Sequence, residues 1–481
     1  MKSGKESAVS LTKGYWGRIE ELDRRGPALR AVIEVNPDAL TIARALDLER
    51  KTKGSRGPLH GIPVLIKDNI DTHDRMMTTA GSLALLGSIA PQDSFVAKKL
   101  REAGAVILGK ANLSEWANFR GDRSSSGWSG RGGQTRNPYV LDRNPSGSSS
   151  GSAVAVSANL CVVAVGTETD GSIISPATVC GIVGIKPTVG LVSRSGIIPI
   201  SKSQDTAGPM ARTVTDAAIL LGALAGEDSR DEATAASRGK AHADYTQFLD
   251  ANGLRGARIG VARKYFRSGA LSAKLIEATL TVLKDSGATL VDFTDDISGY
   301  GAAEGEVLRY EFKDGLNAYL ATLGPKAPVH TLQEVIEFNE RNKDSELAFF
   351  GQETFIKSQA KGSLTDQAYL DALERCRRFS RAEGIDAVMD KNQLDAIVAP
   401  SGGPAGCTDH VYGDRDVGGS SSPAAVAGYP SITVPAGDIQ GLPVGISFFG
   451  RAYSEPTLLK IGFAFEQATK ARKPPRFLPT L

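Results

Sequence analysis

The stretch from Asn144 to Ser193, NPSGSSSGSAVAVSANLCVVAVGTETDGSIISPATVCGIVGIKPTVGLVS, most restricts what this 481-residue chain can fold into. Five serines and two glycines occupy the seven positions Ser146 to Ser152, and a second glycine-serine turn, Thr169-Asp170-Gly171-Ser172, follows about twenty residues later. A flexible linker would not run at once into Ala153-Val154-Ala155-Val156 and Val162-Val163-Ala164-Val165, which read as a small-residue helix and a buried strand. Two such turns braced by apolar elements aim backbone amides and hydroxyls at one point, because glycine permits positive φ and close approach. That convergence suits an oxyanion hole. A phosphate-cradling loop or a tight packing turn is the plainer reading of either turn by itself.

Before this stretch, apolar positions at helical spacing predict helices over Ser10 to Arg25 and Pro37 to Lys51, with a short extended piece at Leu29 to Val35 between them. Val64 to Lys67 reads as a buried strand that is apolar until its last residue, Asp93 to Ala103 as a helix, and Ala105 to Gly109 as the next buried strand. Strand, helix, strand with short connections is a βαβ unit and argues for a largely parallel sheet. The polar run from Asn118 to Asn144 is long for a loop in a compact domain, and because it delivers the chain to the first serine turn it is expected to wall a pocket.

After the serine block, Thr215-Asp216 is expected to cap a helix over Ala217 to Ala225, and Glu227 to Ala243 to form a surface connection. Strands are expected at Ala257 to Ala262, Thr289 to Phe293 and Leu394 to Pro400, with helices at Ser272 to Asp285 and Glu455 to Thr469. The segment from Tyr300 to Asn392 reads as mostly helical. The fold class is therefore α/β: one large domain, 1–481, with a mixed, largely parallel sheet covered by helices on both faces. Within it 1–60 form a helical prelude, 61–225 the core that carries the site, 226–392 a mainly helical variable part and 393–481 a return to the core sheet.

Hydrophobic residues at 41% and charged residues at 23% exclude a wholly disordered chain. The 56 basic and 54 acidic residues balance to a net charge of +2 with no long single-sign block, so neither nucleic acid nor a membrane surface is implied as a partner. Cys161, Cys180, Cys376 and Cys407 lack metal-ligand spacing and read as reduced core residues, and the five histidines are as dispersed; no metal or other cofactor is expected. No secretory signal or membrane span is read, so a cytoplasmic protein, monomer or homodimer, is the expectation.

A serine hydroxyl needs a base within hydrogen-bond reach to act as a nucleophile near neutral pH. No histidine lies in either serine turn or beside Lys67, so a lysine base is the economical alternative. For that role the Lys67 amine needs a pKa well below its reference of about 10.4, which burial at the end of an apolar strand would supply. Taken alone, Lys67 reads better as an ion-pairing residue at the rim of the sheet, and it is the two serine turns that reverse this.

The serine run, the turn Gly166-Thr167-Glu168-Thr169-Asp170-Gly171-Ser172, the closing Cys180-Gly181-Ile182-Val183-Gly184-Ile185-Lys186-Pro187-Thr188 and the strand Gly61 to Asp68 together resemble the amidase signature family. The resemblance spans roughly residues 10 to 470. It implies an amide hydrolase with Ser172 as nucleophile, Ser148 as a bridging serine behind a cis peptide bond, and Lys67 as base. It also implies an oxyanion hole from the backbone amides of Thr169, Asp170, Gly171 and Ser172.

Two departures narrow the likeness: Asp170 stands where many members have glycine, and Ile174 where many have arginine. With the loop Arg123 to Trp128 they resemble the peptide amidase branch, which implies C-terminal peptide amides as substrates. The alternatives are a broad-range acylamidase and one component of a glutamine amidotransferase. Trp128, Ser149 and Asp170 are candidate substrate contacts. Each has a structural alternative: Trp128 as loop core, Ser149 as a hydrogen-bonding brace of its turn, and Asp170 as an Asx turn residue.

Overall fold

A computed structural model describes residues 1, 4–266, 270–415 and 417–481. Its strands in chain order are β1 (Val32–Val35), β2 (Pro63–Lys67), β3 (Val106–Ala111), β4 (Trp128–Ser129), β5 (Gly133–Gln134), β6 (Val163–Glu168), β7 (Val183–Lys186), β8 (Thr206–Ala211), β9 (Arg258–Ala262), β10 (Thr289–Phe293), β11 (Ala396–Gly402), β12 (Ser431–Ile439) and β13 (Leu442–Phe449). All but the β4–β5 ribbon join one eleven-stranded mixed sheet in the order β1-β3-β2-β6-β8-β7-β12-β13-β11-β9-β10.

The expected α/β domain with a mixed sheet under helices is what forms. Parallel pairing, inferred from the βαβ unit, is confined to the two arms β3-β2-β6 and β11-β9-β10. Strands from β6 through β13 to β11 pair antiparallel, as does edge strand β1 with β3. For one of these pairs the cause is local: β12 and β13 are joined by a tight turn at Gln440-Gly441, and a two-residue hairpin connection permits only antiparallel pairing.

The continuous apolar runs of β2, β3 and β6 reflect burial on both faces of the sheet. Val64 and Ile66 pack with Val96 and Leu100 of the helix Phe95–Glu102, whereas Leu65 packs on the opposite face with Val154 and Ala155 of the helix Ser150–Ser157. Because side chains alternate along a strand, Lys67 projects on the Leu65 face, beneath the serine turn. That helix is built of small residues for a reason: a Cβ at Gly151 would stand 2.3 Å from the Ala31 carbonyl oxygen and 2.5 Å from that of Asn112.

Several local expectations are corrected. The helix after β8 starts at Val214, not Ala217, because the Thr213 side chain accepts from Asp216 N–H and caps it one turn earlier. The stretch Glu227 to Ala243 is not merely superficial: Asp231 is buried and grips Arg194 through both carboxylate oxygens. Cys407 is exposed, in contrast to buried Cys161, Cys180 and Cys376; all four are free thiols. The loop 118–144 is shortened by the β4–β5 ribbon.

Gly151→Ala is expected to cost about 1–3 kcal/mol by overpacking, seen as a lowered thermal midpoint.

Candidate active site

At the end of β2 the Lys67 ammonium is fully buried and meets three oxygens: Ser148 Oγ at 2.7 Å, Thr167 Oγ1 at 2.8 Å and the Thr167 carbonyl at 3.3 Å. Burial pulls its pKa down to about 7, against the opposing charges of Asp205 and Glu168. An amine in this state holds two protons toward Thr167 and can take the Ser148 proton on its lone pair. Thr167 is itself positioned by Asn69, whose Nδ2 donates to Thr167 Oγ1 at 3.0 Å.

Ser148 follows a cis peptide bond at Gly147. Its carbonyl accepts from Ser114 N–H at 3.1 Å, and a Cβ on Gly147 would lie 2.1 Å from Ser114 Oγ, so this corner admits only glycine. Ser149 is buried, with its hydroxyl donating to the Thr167 carbonyl at 2.9 Å and accepting from Thr167 N–H at 3.1 Å. The Ser149 side chain thus fastens the serine turn to β6. Ser150 and Ser152 brace the same turn through the carbonyls of Ser146 and Val165.

The second turn is fixed from both sides. Behind it, Glu168 Oε2 accepts the Ile173 and Ile174 N–H groups at 2.7 and 2.9 Å, satisfying orphan donors at the start of the helix Ile174–Val179. In front, Thr169 Oγ1 donates to Asp205, and Gln204 Nε2 donates to the Thr169 carbonyl. Asp205 also accepts from Ile200 and Ser201 N–H; burial raises its pKa to about 6. Ser149 N–H donates to the Ser172 carbonyl at 3.0 Å, which brings the two serine turns into direct contact.

Gly171 has φ +77°, and a Cβ there would approach Ser175 and Ser421 hydroxyls to about 3 Å. Among the described residues, the N–H groups of Asp170, Gly171 and Ser172 and the Ser172 hydroxyl have no hydrogen-bond partner. The Asp170 carboxylate accepts from Ser421 Oγ at 2.6 Å. A cavity of about 200 Å³ opens beside Thr167 and Thr169, lined also by Asn69, Ala117, Asp205 and Arg194.

Trp128 is 5% exposed, its ring edge-to-face with Phe349 and Phe350 and the Arg120 guanidinium 5.2 Å from its centroid. Most of it is therefore loop core. Arg120 is fully buried between Glu115, at 2.5 Å, and Glu346, at 3.4 Å. Sequence reasoning missed Thr167, although it ends the apolar run of β6, and it missed Asn69, Gln204, Asp205 and Ser421, which carry no local motif.

The architecture and these paired serine turns are those of an amide-bond hydrolase. The chain belongs to the amidase family, whose sequence model matches residues 10–459. It is similar to the solved peptide amidase of Stenotrophomonas maltophilia, with 53% identity, a TM-score of 0.94, and coverage of 99% of this chain and 96% of that one. A probable amidase of Arabidopsis thaliana is 47% identical over 96% of this chain and 87% of its own length. A glutamyl-tRNA(Gln) amidotransferase component of Chloroflexus aurantiacus is 36% identical, over 98% and 95%. The chain is thus a hydrolase of amide carbon–nitrogen bonds. No helix among the described residues is long and apolar enough to cross a membrane.

Arg120→Met leaves the Glu115 and Glu346 carboxyls buried without their cation, a change that costs about 3–5 kcal/mol in comparable buried pairs. The expected result is a fall in the thermal midpoint far larger than for Arg24→Met, whose ion pair is on the surface.

Proposed function

We propose that the chain hydrolyses carboxamides through an acyl-enzyme on Ser172, with Ser148 relaying protons to and from Lys67, and that C-terminal amides of short peptides are its substrates. The observation that carries the mechanism is the 2.7 Å contact between Ser148 and a buried lysine whose pKa is drawn to about 7. A base with a pKa near the working pH combines a sizeable neutral fraction with enough basicity to accept a proton.

In the proposed sequence Ser172 Oγ attacks the amide carbon while its proton passes to Ser148 Oγ and the Ser148 proton passes to Lys67 Nζ. The carbonyl oxygen gains the negative charge and is received by the N–H groups of residues 169–172, of which those of 170–172 have no other acceptor. Collapse of the tetrahedral adduct breaks the carbon–nitrogen bond. The relay then runs in reverse, so the leaving nitrogen takes a proton from Ser148, which is reprotonated by Lys67, and departs as ammonia. Water repeats the cycle on the ester, returning Ser172 and the free acid.

The peptide-amide assignment rests on the 53% identity to the Stenotrophomonas maltophilia peptide amidase over nearly the whole of both chains. The 36% likeness to an amidotransferase component supplies the competing reading, ammonia production from glutamine for a partner.

Ammonia and amine release from a dipeptide amide, an anilide, an aliphatic amide and glutamine separates these readings. Preference by the purified chain for the dipeptide amide is the expected outcome; preference for the anilide or the aliphatic amide would overturn the substrate assignment. Activity on glutamine alone, or only with a partner, would favour the amidotransferase reading. Ser172→Ala is expected to lower kcat about a thousandfold or more. Because Lys67 must be neutral, kcat/KM should rise about tenfold per pH unit on the acid side, up to about pH 7.

A further inference from the structure

We infer that Glu304 is a positioning residue for this hydrolysis: its carboxyl donates a proton to the Asp170 carboxylate and so holds the 170–172 backbone amides in the geometry that receives the oxyanion. The inference rests on the reading of Ser172 as nucleophile given above.

Three elements far apart in sequence meet at Asp170. From the helix Ser421–Ala427, Ser421 Oγ donates to Asp170 Oδ1 at 2.6 Å. From the turn before β8, Gln204 Nε2 donates both to Glu304 Oε1 at 3.1 Å and to the Thr169 carbonyl at 3.3 Å. From the first turn of the helix Ala303–Thr322, the Glu304 carboxyl meets that of Asp170 within hydrogen-bond reach. Glu304 Oε1 accepts from Gln204 and Asp170 Oδ1 from Ser421, and the two carboxyls hydrogen-bond to each other. Two acceptors in contact require one proton between them.

Electrostatics place that proton on Glu304. Partial burial, and next the Asp170 charge, raise its pKa to about 8, while the Gln204 hydrogen bond and the N-terminal end of its own helix oppose the shift. The other groups acting on the pair are Tyr300, whose hydroxyl burial keeps protonated, the Cys376 thiol, raised to about 12, Tyr265, and the buried Lys186 and Glu168, whose opposite charges both act on Asp170. While Glu304 keeps its proton the pair is closed by a hydrogen bond; once alkaline pH removes that proton, two carboxylates repel each other beside the amides proposed to bind the oxyanion.

The test is the pH profile of amide hydrolysis by the full chain and its variants. Wild type should show the acid limb of Lys67 and a second, alkaline fall in kcat near pH 8. Glu304→Gln keeps both hydrogen bonds, donating N–H to Asp170 and accepting from Gln204, but has no proton to lose. It should abolish the alkaline fall or move it up by about one pH unit or more, and restore most of the kcat lost in Glu304→Ala. Glu304→Ala is expected to lower kcat about tenfold or more with KM changed less than about threefold. Ser421→Ala, on the other side of Asp170, should lower kcat several-fold in the same manner. An alkaline limb in Glu304→Gln identical to wild type, or full kcat in both Glu304→Ala and Ser421→Ala, would overturn the inference while leaving the hydrolase reading intact. Unaltered turnover by Ser172→Ala would overturn both.

Discussion

Every part of this site depends on keeping an amine out of water at the end of β2. An isolated charged lysine in such a place is costly, and a protein meets that cost by pairing the charge or by letting it go. Among the described residues no carboxylate touches the Lys67 amine. Its neighbours are a hydroxyl, a second hydroxyl and a carbonyl, which serve a neutral amine as well as a cation. Asp205 and Glu168 act on it from further away and keep the shift moderate, so the amine lies near neutrality instead of being locked in either state.

That single requirement explains much of the sequence around it. Lys67 can be buried only if what covers it comes very close, and serine, glycine and alanine are what a backbone needs for close approach. Gly147 and Gly151 press onto Ser114, Ala31 and Asn112, and Ser149 replaces a side chain–side chain contact by hydrogen bonds to the backbone of Thr167. Gly166 in β6 continues the pattern, since a Cβ there would lie 2.8 Å from Ser149 Oγ. The density of small residues between Ser146 and Gly171 is a packing condition as much as a chemical one.

The part of the molecule legible in the sequence was the part made by neighbours in the chain. The strand ending at Lys67, the small-residue helix after the serine run and the final helix Glu455–Thr469 each follow from local periodicity and burial on both faces. The antiparallel centre of the sheet was not legible, because pairing direction depends on which distant strands β7, β12 and β13 meet and not on their composition. The hydrogen-bonding shell of the second serine turn was equally hidden. Gln204, Glu304 and Ser421 are ordinary polar residues in ordinary surroundings until the fold brings them together, and nothing at i+3, i+4 or i+2 marks them. Trp128 shows the converse: its loop was conspicuous, yet its ring is chiefly spent on Phe349, Phe350 and Arg120.

Asp170 joins these two kinds of information. A glycine at that position would ask nothing of its surroundings, whereas an aspartate beside a developing oxyanion introduces a charge of the wrong sign. It can be accommodated only if its oxygens are occupied and its charge is kept from doubling. Ser421 donates to one oxygen, and Glu304, held by Gln204 and, as we infer, protonated, donates to the same carboxylate. The four residues are therefore one unit spread over more than two hundred positions of sequence, and substituting any one alters what the other three are for. Ile174, buried two residues after Ser172, is consistent with this account: no side-chain cation is supplied from within the turn itself, so control of charge beside Ser172 passes to groups delivered by the helices that follow the core.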